Sequence, residues 1–301
     1  MVQVTLEPNS PVRTAVRPSR RLWRRWWFWP LLLVLLGLFI DSVIIEPYRV
    51  QTTHYQIQGA VVAPLKIAEL SDLHTHGLGP RERRMVAILA AEKPDVIVIT
   101  GDSLGGYGGT YEDTQKVYLQ LHAPLGVWFV RGNWENNHPY RPTRREHQFY
   151  EDSGVHLLVN ANAELRPDVW LIGLDDPSSG TVRLDRALAG VPANAYRIAA
   201  FHAPGYFDRI ASHVNLVLAG HTHGGQVHIP FVPTFWLPEG SGPYLAGWYS
   251  KDGAQMYVNR GLGWTALPIR LLCRPEVTII TVEPDAKSAQ LIGLTASFGL
   301  S

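Results

Sequence analysis

Eight short apolar, β-rich runs punctuate the chain between residues 65 and 282, and five of them lead into the seven Asp, Asn and His residues taken up below. The runs cover 65–70 (LKIAEL), 95–100 (DVIVIT), 126–131 (GVWFVR), 156–160 (HLLVN), 169–174 (VWLIGL), 196–201 (YRIAAF), 215–220 (NLVLAG) and 277–282 (VTIITV). Helical periodicity fits 81–92, 111–122, 144–153 and 206–213 between them. Near-continuous apolar runs require burial on both faces of a strand, and alternation with helices supplies that cover. The expectation is one α/β catalytic domain over 65–285, well within what 301 residues can bury around a single core.

The donors at the run ends fall in five motifs. Asp72 and His74 follow the first run, Asp102 the second, Asn133 the third; His202 follows 196–201, and His221 and His223 follow 215–220. Ligands in open α/β sheets collect at the carboxyl ends of strands, so five segments converge on one rim. Any one such residue alone is more often a turn residue or a satisfied polar group; the ordered set is what indicates a metal site. Two divalent ions about 3.5 to 4 Å apart can clamp a phosphoryl group, activate water and neutralise the leaving oxygen. Asp102 reads as the bridge. One ion takes Asp72, His74 and His223; the other takes Asn133, His202 and His221. Cys273 is the only cysteine, which excludes a disulfide within the chain and a thiolate cluster. The remaining nitrogen and oxygen donors suit Mn²⁺, Fe²⁺ or Zn²⁺.

The order Asp72-x-His74, Gly101-Asp102, Gly132-Asn133, His202 and the block from Gly220 to Gln226 (GHTHGGQ) resembles the calcineurin-like metallophosphoesterase superfamily. The tail from Tyr257 to Gly263, then Pro268 to Arg270 and Arg274 to Glu276, is similar to its membrane-associated bacterial branch of YaeI- and YkuE-like phosphodiesterases, which includes a UDP-2,3-diacylglucosamine hydrolase. The resemblance covers roughly 60–285. It implies a four-layer α/β/β/α sandwich, the seven ligands named above, and a phosphodiester or pyrophosphate bond as the target. By family analogy alone, Arg270 or Asn259 holds the substrate.

One departure bears on the chemistry. The family carries His after the Gly-Asn pair, where it assists the departing group; here Trp134 follows Asn133 and precedes Glu135. Three outcomes are open: His76 or His138 supplies the proton, the leaving group needs none, or turnover is slow. General-acid help is worth roughly 10² to 10⁴-fold and matters most for alkoxides, which favours a pyrophosphate or other good leaving group.

The amino-terminal segment carries a different message. Residues 26–40 are apolar or Pro/Gly, and the run resumes at 43–45, the length of a single membrane crossing if Asp41 lies near the far interface. Trp23, Trp26, Trp27 and Trp29 sit where an interfacial aromatic belt would, and six arginines from Arg13 to Arg25 precede the run. The reading is a cytoplasmic basic tail (1–25), an anchor in a bacterial inner membrane (26–45), a connector (46–64), the catalytic domain on the outer side, and a terminal tail (286–301). An interfacial arm with no crossing is the alternative. Residues 19–24 also resemble a twin-arginine export signal, and no small-x-small cleavage site follows the apolar run. A net charge of +1 points to no nucleic-acid partner and sets no oligomeric state. The expected partners are the membrane and a phosphorylated lipid or nucleotide-sugar substrate, UDP-2,3-diacylglucosamine first and an envelope phospholipid second. A nucleotide sugar is cytoplasmic, which conflicts with an outer catalytic domain. The alternative of another class is a weakly catalytic metal-binding scaffold.

His54, His122, His147, His156 and His213 carry no motif and read as surface or capping residues. Residues 105–109 (GGYGG) read as a rim loop rather than a phosphate loop. Trp236, Trp248 and Trp264 could form an apolar rim for acyl chains, but packing is preferred.

Overall fold

The computed structural model describes residues 26–105, 108–137, 146–234, 236–286 and 288. The described residues divide into two units, those up to Ile40 and those from Asp41 onward. In the first, α1 (Phe28–Ile40) buries none of its side chains. In the second, a π-helical turn (Asp41–Ile45) and a 3₁₀ turn (Glu46–Tyr48) lead into the α/β body.

Twelve strands build two six-stranded sheets. The first is ordered β1 (Gln51–Gly59), β12 (Glu276–Pro284), β2 (Leu65–Leu70), β3 (Val96–Thr100), β4 (Val127–Val130), β5 (His156–Leu157). The second is ordered β10 (Gly247–Lys251), β11 (Ala254–Val258), β9 (Leu216–Ala219), β8 (Tyr196–Ala200), β7 (Val169–Gly173), β6 (Ala161–Arg166). The strands that lead to the donors run parallel within each sheet: β2, β3 and β4 in one, β8 and β9 in the other.

Burial explains why these strands have apolar runs. Leu65, Ile67, Val96 and Val98 of the first sheet meet Ile198, Ala200, Leu216 and Leu218 of the second in one inner layer. The opposite residues of the first sheet, including Ala68, Leu70, Ile97 and Ile99, pack on Met85, Ile88 and Leu89 of α2 (Pro80–Glu92) and Val117 of α3 (Tyr111–Tyr118). Ile172, Ala199 and Val217 of the second sheet pack on Phe207 and Ile210 of α7 (Phe207–Ile210). The expected α/β/β/α sandwich is the fold observed.

The segment expected to be a connector, 46–64, is not one. Its residues 51–59 form β1, paired in parallel with β12 along its whole length. Polar residues alternate along this edge strand (QTTHYQIQG), so it has no apolar run to mark it.

Glu276, at the start of β12, ties three elements together. Its carboxylate accepts from Thr53 Oγ1 (2.7 Å), Tyr257 OH (2.8 Å) and the Arg260 backbone N and guanidinium (3.0–3.1 Å). Burial acts to raise its pKa, but these bonds, led by Arg260, hold it below the usual glutamate range. A lowered folded-state pKa stabilises above the unfolded value and is lost as pH falls through the folded one. Glu276→Gln is therefore expected to destabilise by about 2 kcal/mol near neutrality. In urea unfolding, the gap to the parent should narrow once pH drops below about 4.

Candidate metal centre

Each donor stands just past the carboxyl end of a strand, where the backbone must turn sharply. Asp72 and His74 follow β2, Asp102 follows β3, Asn133 opens α4 (Asn133–Asn137) after β4, His202 follows β8, and His221 and His223 follow β9. Five of them adopt positive φ: Asp72 (49°), His74 (39°), Asp102 (51°), His221 (73°) and His223 (51°). For a residue with a Cβ this costs on the order of 1 kcal/mol each and persists where the surroundings enforce it. The strand ends are stitched together by Asp72 N to Gly101 O (3.1 Å), His74 N to Asp102 O (3.0 Å) and Gly220 N to His202 O (3.0 Å). His221 N closes the two sheets together by donating to Asp72 Oδ2 (3.0 Å), across 149 residues of sequence. Two glycines are required by closeness: a Cβ on Gly132 would lie 2.2 Å from Asp102 Oδ1, and one on Gly220 would lie 1.7 Å from Ser71 Oγ.

The donors form two buried groups, Asp72 with His74 and His223, and Asp102 with His202 and His221. Within each, the ligand atoms lie within 4.8 Å of one another. His74 Nε2 and His223 Nε2 face each other at 3.3 Å, His223 Nε2 is 3.2 Å from Asp72 Oδ1, and His202 Nε2 is 3.0 Å from Asp102 Oδ2. Asp102 Oδ2 is also 3.8 Å from His74 Nε2, so this carboxylate touches both groups. Despite these distances, Asp72 Oδ1 and His202 Nε2 are buried without an aligned hydrogen-bond partner, and Asn133 Oδ1 has none either. Asn133 lies beside Asp102, because the residues on either side of it, Gly132 and Trp134, both contact that carboxylate. Buried donors that converge on shared points instead of pairing fit a pair of cations.

Outer hydrogen bonds select which imidazole nitrogen faces inward. His74 Nδ1 bonds Leu104 O (3.0 Å) and His202 Nδ1 bonds Thr100 O (2.7 Å), leaving their Nε2 atoms inward; His221 bonds Glu239 O through Nε2 (2.8 Å), leaving Nδ1. Burial pushes the pKa values of His74, His221 and His223 down, which favours the neutral form that binds metal. Burial would raise the Asp72 carboxyl, yet His223, His202 and His74 hold it below the usual range. His202 differs: burial works against its charge, but Asp102 outweighs it and raises its pKa above the usual imidazole range.

The sequence of this region matches a known family. Residues 65–225 fit the calcineurin-like phosphoesterase family. The chain is a calcineurin-like phosphoesterase. This phosphoesterase is 30% identical over 253 residues to the uncharacterized metallophosphoesterase YkuE of Bacillus subtilis, covering 79% of this chain and 87% of that protein. It is 30% identical over 230 residues to the phosphodiesterase YaeI of Escherichia coli, covering 72% and 82%. A transmembrane protein with a metallophosphoesterase domain from Danio rerio is 28% identical over 243 residues, covering 73% of this chain and 53% of that relative, about half its length. The phosphoesterase's own segment Phe28–Tyr48, 21 residues, is long and apolar enough to cross a membrane and fits an anchor.

Around the donors, several expectations need correction. Arg270 is fully buried, and its guanidinium donates to the carbonyls of Arg260, Gly261, Gly263 and Cys273. Asn259 is also fully buried, bonded to Thr278 Oγ1 and Gly261 N. Neither side chain is available to a substrate in the phosphoesterase. They shape the 259–263 loop, whose Gly263 N donates to Asp72 O (2.6 Å). His76, a candidate proton donor, is exposed and flanks Gly105 and Asp113, outside the two buried groups. His138 lies outside the described residues. His228 bonds Gly224 O and braces the turn that carries His223. Trp248 packs on Tyr55 and Tyr257, and Trp264 lies between Tyr48 and Arg81, as the packing reading expects; Trp236 is exposed.

One acid that organises the site was missed, and a second that lies buried beneath it. Glu135 accepts from the backbone N–H groups of Asp102, Ser103, Leu104 and Gly132 (2.8–3.1 Å), fixing the two turns that carry Asp102 and Asn133. Burial, with Asp102 close by, pushes its carboxyl up to about 7 against the pull of those bonds. Glu69 of β2 is fully buried, and burial with Glu276 and Asp72 nearby raises it well above the usual range. The acid following Trp134 was the available signal for Glu135; nothing in β2 marks Glu69.

Positive φ and facing nitrogens at the donors are tolerated more easily when cations bridge them. A ligand that binds only the folded state at a hundredfold its Kd adds about 2.7 kcal/mol, or roughly 5–10 °C in Tm for a domain of this size. Calorimetry with excess chelator against Mn²⁺ should show that drop. An unchanged Tm would tell against a metal centre.

Proposed function

We propose that this phosphoesterase is a membrane-anchored hydrolase of a phosphodiester or pyrophosphate whose leaving group departs without a protein acid. One observation carries the reading: the position that would hold a general acid is filled by the Trp134 indole, edge-on to His74 at 5.5 Å, with its backbone N–H on Asp102 Oδ1 (2.9 Å). An indole cannot donate a proton to a departing oxygen under ordinary conditions.

In this reading Asp72, His74 and His223 hold one divalent ion, Asn133, His202 and His221 a second, and Asp102 both. When bound, the pair supplies Lewis-acid neutralisation of phosphoryl charge and acidifies water at the site. Leu104, Thr100 and Glu239 fix the imidazole tautomers, and Glu135 holds the Asp102 and Asn133 turns in register. Trp134 walls the cleft beside His74. The metals are Mn²⁺, Fe²⁺ or Zn²⁺, as the donor set allows.

The substrate class is a lipid-linked phosphodiester or pyrophosphate. UDP-2,3-diacylglucosamine fits the leaving-group argument, and an envelope phospholipid fits an anchored protein with its amino terminus inside a bacterial inner membrane. A reporter fused at the carboxyl terminus separates them, since an external domain removes the nucleotide sugar. The name phosphodiesterase borne by YaeI favours a diester over a monoester. Turnover with Mn²⁺ on an aryl phosphodiester and on a nucleotide-sugar pyrophosphate should exceed that on an alkyl phosphomonoester by roughly 10²-fold or more. Equal rates on all three would overturn the reading. The Trp134 substitution also favours a second one, a weakly catalytic metal-binding scaffold, for which no metal-dependent turnover on any of the three would speak.

A further inference from the structure

The segment that follows the last metal donors is unusual for a protein surface. Residues 227–238 (VHIPFVPTFWLP) contain no Asp, Glu, Lys or Arg. Phe231 is 105% exposed and Trp236 70% exposed, and Val227, Ile229 and Val232 are exposed as well. Phe231 adopts a φ of 66°, a conformation that an aromatic residue rarely takes, and points its ring into solvent. Apolar side chains displayed together in this way mark an interaction site.

Its neighbours identify the occupant. Val227 bridges to Leu271, and His228 N and Gln226 O bond the backbone of Leu271 (2.8 and 2.9 Å). The next residues, Leu272 and Cys273, donate their N–H groups to the Glu46 carboxylate, and Arg270 N donates to Ser42 O (2.9 Å). Ser42 and Glu46 belong to the apolar segment Phe28–Tyr48. The loop is thus joined, through one strip of chain, to the foot of the candidate anchor. Leu267, Leu272, Ile44, Ile45 and Tyr48 are exposed along this strip. Arg49 and Arg274 are exposed at its side, where anionic headgroups would meet them.

We infer that residues 227–234 and Trp236, with Leu267 and Leu272, form a membrane-docking rim that seats in the lipid headgroup layer beside the anchor. The inference rests on the membrane-anchor reading and deepens the proposed function. The rim begins four residues after His223, so docking would bring the metal centre to headgroup depth. The substrate is then a phosphodiester carried on a membrane lipid, reached without leaving the bilayer. Aromatic and aliphatic side chains at an interface, flanked by Arg, are the composition such seating requires.

The full chain, reconstituted into phosphatidylcholine vesicles containing phosphatidylglycerol, provides the test. Cys273 is fully buried, so an environment-sensitive dye will label Phe231→Cys selectively. Asp252→Cys, in the hairpin between β10 and β11 at the end of β11 away from the donors, serves as the control. The expected result is a blue-shifted dye at 231 with several-fold weaker quenching by an aqueous quencher than at 252. Ile229→Cys should behave like 231, and should regain quenching when Phe231→Asp and Trp236→Asp are added. Equal quenching at 231 and 252 overturns the proposal. So does shielding at 231 in detergent micelles accompanied by a dimer in sedimentation, which would assign the rim to a second copy of the chain. A protein that does not float with the vesicles overturns both the rim and the anchor. Aryl phosphodiester turnover of the same labelled samples reports separately on the phosphoesterase reading.

Discussion

Asp102→Asn is expected to lower aryl phosphodiester hydrolysis by roughly 10³-fold or more, since a bound metal pair is worth several kcal/mol of transition-state charge stabilisation and each 1.36 kcal/mol is tenfold. The metal content should fall from two ions to one or none. The geometry gives the reason. Oδ2 of Asp102 approaches His202 (3.0 Å) and His74 (3.8 Å), one from each group, while Oδ1 takes the Trp134 N–H (2.9 Å). An asparagine can keep the bond to Trp134 through its oxygen, but then turns an amide NH₂ towards the cations and carries no charge to hold them together. Because that bond survives, the metal-free variant should unfold close to the metal-free parent. Metal analysis and kcat/KM decide the point: two ions retained, with turnover within about tenfold of the parent, would remove Asp102 from its bridging place.

Trp134→His is expected to act in the other direction, and selectively. The new imidazole would stand beside His74 with the backbone N–H still on Asp102. Hydrolysis of alkyl phosphodiesters should rise by roughly 10² to 10⁴-fold, because an alkoxide needs a proton as it leaves. Aryl diesters and pyrophosphates, whose leaving groups are stable anions, should gain little. The ratio of the two gains is the measurement. An equal gain on both classes, or none on the alkyl diesters, would show that Trp134 does not determine leaving-group preference.

Much of the fold was legible because burial leaves a local trace. β2, β3, β8 and β9 lie between the inner layer and an outer helical or loop layer, so LKIAEL, VIVIT, YRIAA and LVLA are apolar at almost every position. β1, β6 and β10 at sheet edges lack that two-sided cover, and their sequences (QTTHYQIQG, ANAELR, GWYSK) pass for loop. β11 is mostly buried yet was also missed, since Gln255 interrupts its short apolar run and a Gly-rich segment surrounds it. The anchor segment was legible for a related reason: lipid, like a core, demands an uninterrupted apolar stretch.

The donors were legible as residue types at strand ends, and six of the seven expected are the ones the fold gathers into two groups. What their neighbours do was decided only in three dimensions. Arg270 looked like a substrate ligand because sequence reports a guanidinium and not its partners; the fold spends its donors on four backbone carbonyls around the Asp72 loop. Glu135 became the clamp between the Asp102 and Asn133 turns because β3 and β4 lie side by side. The apolar loop after His223 is tied to the foot of the candidate anchor through Leu271, Leu272 and Glu46, residues far apart along the chain. Local composition and periodicity determine what a segment buries and which chemistry it carries. Which atom faces which depends on strand register and on contacts such as His221 with Asp72, 149 residues apart, and no short stretch of sequence encodes that.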